Sequence, residues 1–126
     1  MAINHVLLLD DPGTSSLADR LEGMMSSLQV TRRAVREPQT PRLLQDGKHY
    51  DVIFVPTTTG IRNPPSRKVF RDYEDWRGDR QCIVAGYGIA PINGVRYDSF
   101  LATPDLMAAI SPEAYLKRFL ESLHPS

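Results

Sequence analysis

Short apolar runs alternate along this chain with stretches in which apolar residues recur at helical spacing. The runs of strand length are Val6 to Leu9, Tyr50 to Val55 and Cys82 to Ala85. The first run is followed by a helical stretch whose apolar face consists of Leu17, Leu21, Met24, Met25 and Leu28. This alternation is typical of a parallel sheet that is covered by helices on both faces.

Weaker signals predict the remaining elements. Residues 29–35 carry arginines at positions 32 and 33, which suits an edge strand because its polar side chains can reach water. The last helix is predicted to begin at Ser111-Pro112-Glu113, where serine can cap and proline fits the first turn. We also expect short helices at 40–44 and 69–76, an extended segment at 95–101, and a short strand or helix at 106–110.

These elements predict a single α/β domain over residues 1–126, since a chain of this length is within the usual range for one domain. Four or five strands with helices between them match a flavodoxin-like, doubly wound five-stranded parallel sheet with strand order 2-1-3-4-5. The sequence has no nucleophile elbow, phosphate loop or dinucleotide fingerprint. We therefore do not expect a conventional enzyme.

Composition narrows the expected partners and location. Fifteen Lys and Arg balance fifteen Asp and Glu. This balance argues against a nucleic-acid partner that is bound through a large positive net charge. Cys82 is the only cysteine, so an intramolecular disulfide is excluded and a reducing compartment is expected. No apolar run has the length of a membrane span, and the first strand is entered without a leader pattern. These features predict a cytoplasmic protein without a membrane partner.

Two strand ends carry the candidate chemistry, because sites in open α/β sheets lie at the carboxyl ends of strands. Asp10 and Asp11 end the first run, and carboxylate oxygens are ligands that Mg²⁺ accepts. The pair is a candidate metal site, with the equally weighted alternative that it only caps the turn. The run at 52–55 ends in Pro56, Thr57, Thr58, Thr59 and Gly60, which forms either a hydrogen-bonded turn or a ligand loop.

Three stretches resemble the receiver domain of two-component response regulators. Residues 6–12, VLLLDDP, are similar to the receiver start, where an acidic pair holds a divalent ion beside a phosphoacceptor aspartate. Residues 50–55, YDVIFV, look like the strand that delivers that acceptor. Residues 111–116 are similar to the start of the last receiver helix. The resemblance extends over nearly the whole chain in length and element order.

Key receiver positions are nevertheless altered. Pro56 occupies the acceptor position, the hydroxyl position that ends the fourth strand corresponds to Ala85 or Gly86, and the expected lysine falls on Ala108 or Thr103. The resemblance therefore implies a degenerate receiver, or pseudo-receiver. Such a module is non-catalytic, independent of phosphorylation, and acts through contacts with a regulatory protein or in a homodimer. The expected contact residues, taken as exposed, are Tyr87, Ile89, Ile92, Tyr97 and Phe100.

A second resemblance, to the flavodoxin-like activator of class Ib ribonucleotide reductase and to flavodoxins, leaves an alternative open. Residues 55–60 and 84–88 are similar to two flavin loops. The alternative implies an FMN-binding electron-transfer protein in which Tyr87 stacks on the isoalloxazine ring and Thr57, Thr58, Thr59 and Gly60 contact it. The FMN phosphate would then approach Asp10 and Asp11. Like charges about 4 Å apart cost roughly 4 kcal/mol at an effective dielectric near 20, so the regulatory interpretation is preferred.

Overall fold

The computed structural model describes residues 3–10, 15–34, 50–57, 82–91 and 97–123. The strands within these ranges are β1 (His5–Asp10), β2 (Gln29–Ala34), β3 (Val52–Thr57), β4 (Ile83–Gly88) and β5 (Ser99–Ala102). The helices are α1 (Ser15–Met24), α2 (Thr103–Ala108) and α3 (Pro112–Ser122). No helix among the described residues is long and apolar enough to cross a membrane.

The strands form one parallel sheet with the order β2-β1-β3-β4-β5. This arrangement confirms the predicted flavodoxin-like fold class. The chain runs outward in one direction from β1 to β2 and then returns to place β3 on the other side of β1. Ligands of such sheets bind where the order reverses, outside the carboxyl ends of the strands. A ligand site in this sheet is therefore expected at the ends of β1 and β3.

Alternating side chains of the central strands pack on the two faces of the sheet. Val6 and Leu8 of β1 belong to a cluster that includes Leu21 of α1 and Leu116 of α3. Leu7 and its neighbours on the opposite face form the second cluster, with members Leu7, Leu9, Tyr50, Ile53, Val55, Cys82 and Val84. Burial on both faces explains why the central strands are continuous apolar runs.

Several element boundaries differ from the predicted ones. β3 continues beyond Val55 through Pro56 and Thr57, both buried, so Thr57 ends a strand and does not open a loop. α3 begins as predicted, with the Ser111 hydroxyl accepting a hydrogen bond from the Ala114 amide. Residues 103–108 form a short helix. The helices predicted at 40–44 and 69–76 lie outside the described residues.

Candidate functional site

Pro56 lies at the carboxyl end of β3, beside the point where the strand order reverses. Its register partner on β4 is Tyr87. On the other side, β1 pairs with β3 up to Leu8 and Phe54, and the same register continued by two residues places Asp10 beside Pro56. In the β3–β4 register Ala85 and Gly86 pair with Phe54 and Val55, the two residues that precede Pro56. Pro56 has no nucleophilic side-chain atom, so it cannot accept a phosphoryl group.

Tyr87 is enclosed in the core. Its side chain is 0% exposed, and its ring meets Phe54 edge-on with centroids 6.3 Å apart. Its hydroxyl donates a hydrogen bond to the backbone carbonyl of Leu9. The expectation that Tyr87 is exposed in an interface is therefore wrong, and its buried ring presents no exposed face to a flavin. The reason is that β4 extends to Gly88, which places Tyr87 inside the sheet and not in the following loop.

The hydrogen bond from Tyr87 occupies a position that a backbone amide would fill in a regular ladder. Carbonyls alternate sides along a parallel strand. The Asn4 carbonyl accepts from β2, and the His5 carbonyl accepts from the residue that precedes β3, so the Leu9 carbonyl faces β3. In the continued register its donor would be the amide of residue 56. Proline has no N–H, and the Tyr87 hydroxyl takes over this role.

Asp10 is held by Arg32 of the neighbouring strand β2. The Arg32 Nε donates to Asp10 Oδ2 at 2.7 Å, and Nη2 lies 2.6 Å from the same oxygen. The remaining nitrogen, Nη1, contacts Asp19 and lies 3.1 Å from Glu22, both on α1. Nη2 also donates to the Ser15 carbonyl at 3.3 Å. One guanidinium thus connects β2 to the tip of β1 and to α1.

The guanidinium of Arg32 is a fixed positive charge. Hydrogen bonding to Asp19 raises the pKa of Arg32, burial opposes the shift, and Asp10 and Glu22 add to the increase. Arginine is in any case protonated at every pH at which proteins fold. The side chains of Arg32 and Asp10 are 24% and 14% exposed, so this pair is shielded more than an ordinary surface ion pair.

Arg32 already neutralises Asp10, the described acid of the predicted metal pair. Two N–H groups already occupy Asp10 Oδ2. A dication about 4 Å from the guanidinium would experience roughly 8 kcal/mol of repulsion at an effective dielectric near 20. No group of three or more His, Cys, Asp and Glu in the described part of the chain is arranged to hold a metal. Asp11, the second acid of the predicted pair, lies outside that part.

Thr57 closes the end of the β3–β4 pair. Its hydroxyl is within hydrogen-bond distance of two backbone carbonyl oxygens that can accept its proton, that of Ala90 at 3.1 Å and that of Tyr87 at 3.3 Å. Gly88 has a φ of +151°, and a Cβ there would lie 2.2 Å from the Thr57 Oγ1. Glycine is therefore required for this close approach. The other residues proposed for a flavin loop, 58–60, are outside the described ranges.

The predicted contact residues differ in how much of their surface is exposed. Ile89 is 65% exposed, in agreement with the expectation that it is exposed. Tyr97 and Phe100 are half-buried and pack edge to face, with centroids 5.3 Å apart. Both rings cover Gly86, where a Cβ would lie 2.5 Å from Tyr97 Cε1. These two rings therefore stabilise the β4–β5 edge, whether or not they also meet a partner. Ile92 lies outside the described residues.

Sequence reasoning missed two further exposed apolar side chains. Met107 is 54% exposed and Ile110 is fully exposed. They belong to the apolar run 106–110, for which the sequence predicts a short strand or helix and no contact role. The short helix α2 buries Leu106 and turns Met107 outward, where its sulfur accepts a hydrogen bond from Arg20 of α1. The sequence alone does not distinguish the buried Leu106 from the exposed Met107, because the two faces are defined only once residues 103–108 are known to form a helix.

No protein-family model and no curated protein matches the chain. Thirty-two chains of solved structures do match. The receiver domain of the sensor histidine kinase PA1611 from Pseudomonas aeruginosa PAO1, with a magnesium ion coordinated in its active-site cleft, has 17% identity, a TM-score of 0.66, and coverage of 97% of this chain and 98% of that one.

Two further solved structures have the same architecture. The CheY-like receiver domain from Methanospirillum hungatei JF-1 has 11% identity and a TM-score of 0.64, covering 97% of this chain and 94% of that one. The pilus assembly protein CpaE from Caulobacter crescentus CB15 has 14% identity and a TM-score of 0.65, covering 100% and 98%. The chain has the fold of CheY-like receiver domains.

Proposed function

We propose that this domain is a pseudo-receiver, a regulatory module of receiver fold that works without aspartyl phosphorylation. The observation that carries the proposal is Pro56 at the tip of β3, with the Tyr87 hydroxyl bound to the Leu9 carbonyl beside it. The acceptor position therefore offers no carboxylate oxygen for a phosphoryl group. A module with this edge regulates by contact, either with another protein or with a second copy of itself, and it is not an enzyme.

Phosphorylation is tested by incubating the protein with acetyl phosphate and MgCl₂ and measuring its intact mass. A receiver that retains its acceptor aspartate, treated in parallel, is the positive control. We expect the control to gain one phosphoryl group that hydroxylamine removes, and this protein to remain unchanged. A hydroxylamine-labile phosphoryl group on this chain would overturn the proposal.

Contact is tested at Ile89, a predicted contact residue that is 65% exposed. A photoreactive amino acid is placed at position 89 and, as a matched control, at Arg118, which is exposed on α3. Irradiation in the producing cells should give one discrete adduct from position 89, with the chain itself or with one other protein, and none from position 118. If both positions give the same products, or if position 89 gives none, the contact surface has been placed wrongly.

The flavin alternative is tested by titrating FMN and following its fluorescence. The buried ring of Tyr87 offers no stacking face, so no quenching is expected at micromolar FMN. Saturable quenching, or yellow protein after purification, would favour the electron-transfer function.

A further inference from the structure

We propose that the guanidinium of Arg32 is a built-in counter-cation for Asp10 at the tip of β1, and that it neutralises from the β2 side a carboxylate that a receiver-type site would use to hold a divalent metal ion. The inference deepens the proposed function and rests on it in one respect: a module that does not transfer phosphate has no need of an exchangeable ion. The acidic edge is then stabilised by a charge that belongs to the chain itself.

The geometry of the guanidinium supports this role. Asp10 comes from the end of β1, whereas Asp19 and Glu22 come from α1, and all three carboxylates converge on the one side chain of Arg32. Each guanidinium nitrogen has at least one of these partners. A bound divalent ion would likewise gather oxygen ligands from more than one element. Arg32 performs the same neutralisation with directed N–H bonds.

A covalently attached cation differs from a bound ion in one important way. Mg²⁺ exchanges with solvent, and its occupancy depends on its concentration, whereas the Arg32 charge is permanent. The contact between α1 and the β1 tip is therefore expected to be insensitive to divalent ions. Removal of the guanidinium leaves three carboxylates around one space, and oxygen ligands of this kind are those that Ca²⁺ and Mg²⁺ prefer. An Arg32 variant should consequently become sensitive to these ions.

Thermal unfolding and isothermal titration with CaCl₂ and MgCl₂ test the proposal, against NaCl of equal ionic strength. The proteins are the wild type, Arg32→Gln, Arg32→Lys, and Arg118→Gln as an exposed control. We expect Arg32→Gln to melt lower in NaCl and to regain stability with millimolar Ca²⁺ in a saturable manner. The wild type, Arg32→Lys and Arg118→Gln should respond equally to all three salts. Adding Asp10→Asn to Arg32→Gln should abolish the gain.

Saturable Mg²⁺ binding by the wild type that is lost in Asp10→Asn would overturn the inference, as would a folded Arg32→Gln protein without a specific gain. If Arg32→Gln does not fold, the titrations of the wild type and Asp10→Asn decide. Ion binding is measured by titration and phosphorylation by intact mass, so the two outcomes are independent. A wild type that binds Mg²⁺ but takes up no phosphoryl group refutes the role of Arg32 alone, whereas phosphorylation refutes the proposed function.

Discussion

The Tyr87 hydroxyl should contribute more to stability than an ordinary tyrosine hydroxyl. Tyr87→Phe keeps the ring in the core but removes the donor to the Leu9 carbonyl. A typical hydrogen bond contributes about 0.5–1.5 kcal/mol net, whereas a buried group left without a partner costs about 1–3 kcal/mol. Leu9 is fully buried, and Pro56 has no amide to replace the hydroxyl. We therefore expect the free energy of unfolding to fall by about 2–3 kcal/mol.

The same reasoning predicts a rescue. Pro56→Ala restores a backbone N–H at the position that faces the Leu9 carbonyl in the continued ladder. In this background the loss of the Tyr87 hydroxyl should cost less than about 1 kcal/mol, because the carbonyl has a second donor. A double-mutant cycle isolates this coupling. It also cancels the effect that proline itself has on the unfolded chain.

The assay is urea unfolding of the four proteins, followed by far-UV circular dichroism. With a slope of about 1–3 kcal/mol/M, a loss of 2 kcal/mol moves the midpoint by roughly 1 M. Tyr115→Phe is the matched control, because Tyr115 is a half-buried tyrosine on α3 and lies outside the strand ladder. The reasoning is refuted if Tyr87→Phe costs the same with proline and with alanine at position 56.

Two further predictions concern a position that has no room for a side chain and a side chain that caps a helix. Gly86→Ala places a methyl group 2.5 Å from the Tyr97 ring and should lower the free energy of unfolding by about 1–3 kcal/mol in a thermal unfolding experiment. The control is Gly23→Ala in α1, where the added methyl group meets nothing within 4 Å, and this variant should be more stable than the wild type. Equal effects of the two substitutions would contradict the packing argument. Ser111→Ala removes the cap on the Ala114 amide and should cost about 0.5–2 kcal/mol, whereas Ser111→Asp should retain most of the stability.

The sheet was predictable because its central strands are buried on both faces. A strand in this position must be apolar at consecutive residues, and the first run, 6–9, fulfils this requirement. Arg32 and Arg33 indicate an edge strand because polar side chains there can reach water, and β2 is at the edge of the sheet. β3 extends two residues beyond the predicted Val55 although Pro56 cannot donate a ladder hydrogen bond. Successive amides face opposite neighbours, so Pro56 removes one hydrogen bond and the strand continues.

The site was only partly predictable. Adjacent aspartates at a strand end are visible in the sequence, but the partner of Asp10 lies 22 residues away. Its identity depends on the register between β1 and β2, which apolar runs do not specify. The burial of Tyr87 was missed for a related reason. β4 reads as ending at Ala85 because two glycines follow, yet Gly86 and Gly88 are the residues that allow neighbouring side chains to approach the strand closely.

Pro56, Tyr87 and Arg32 act on the same edge of the sheet, and their effects reinforce one another. Proline removes both a reactive side chain and a backbone donor, and Tyr87 replaces the donor from within the core. Arg32 balances Asp10 from the other side. A carboxylate introduced at position 56 would be buried near Asp10 and next to the tyrosine, and burial disfavours its charged form. An acceptor carboxylate restored at position 56 is therefore expected to destabilise the sheet unless residues around it change as well.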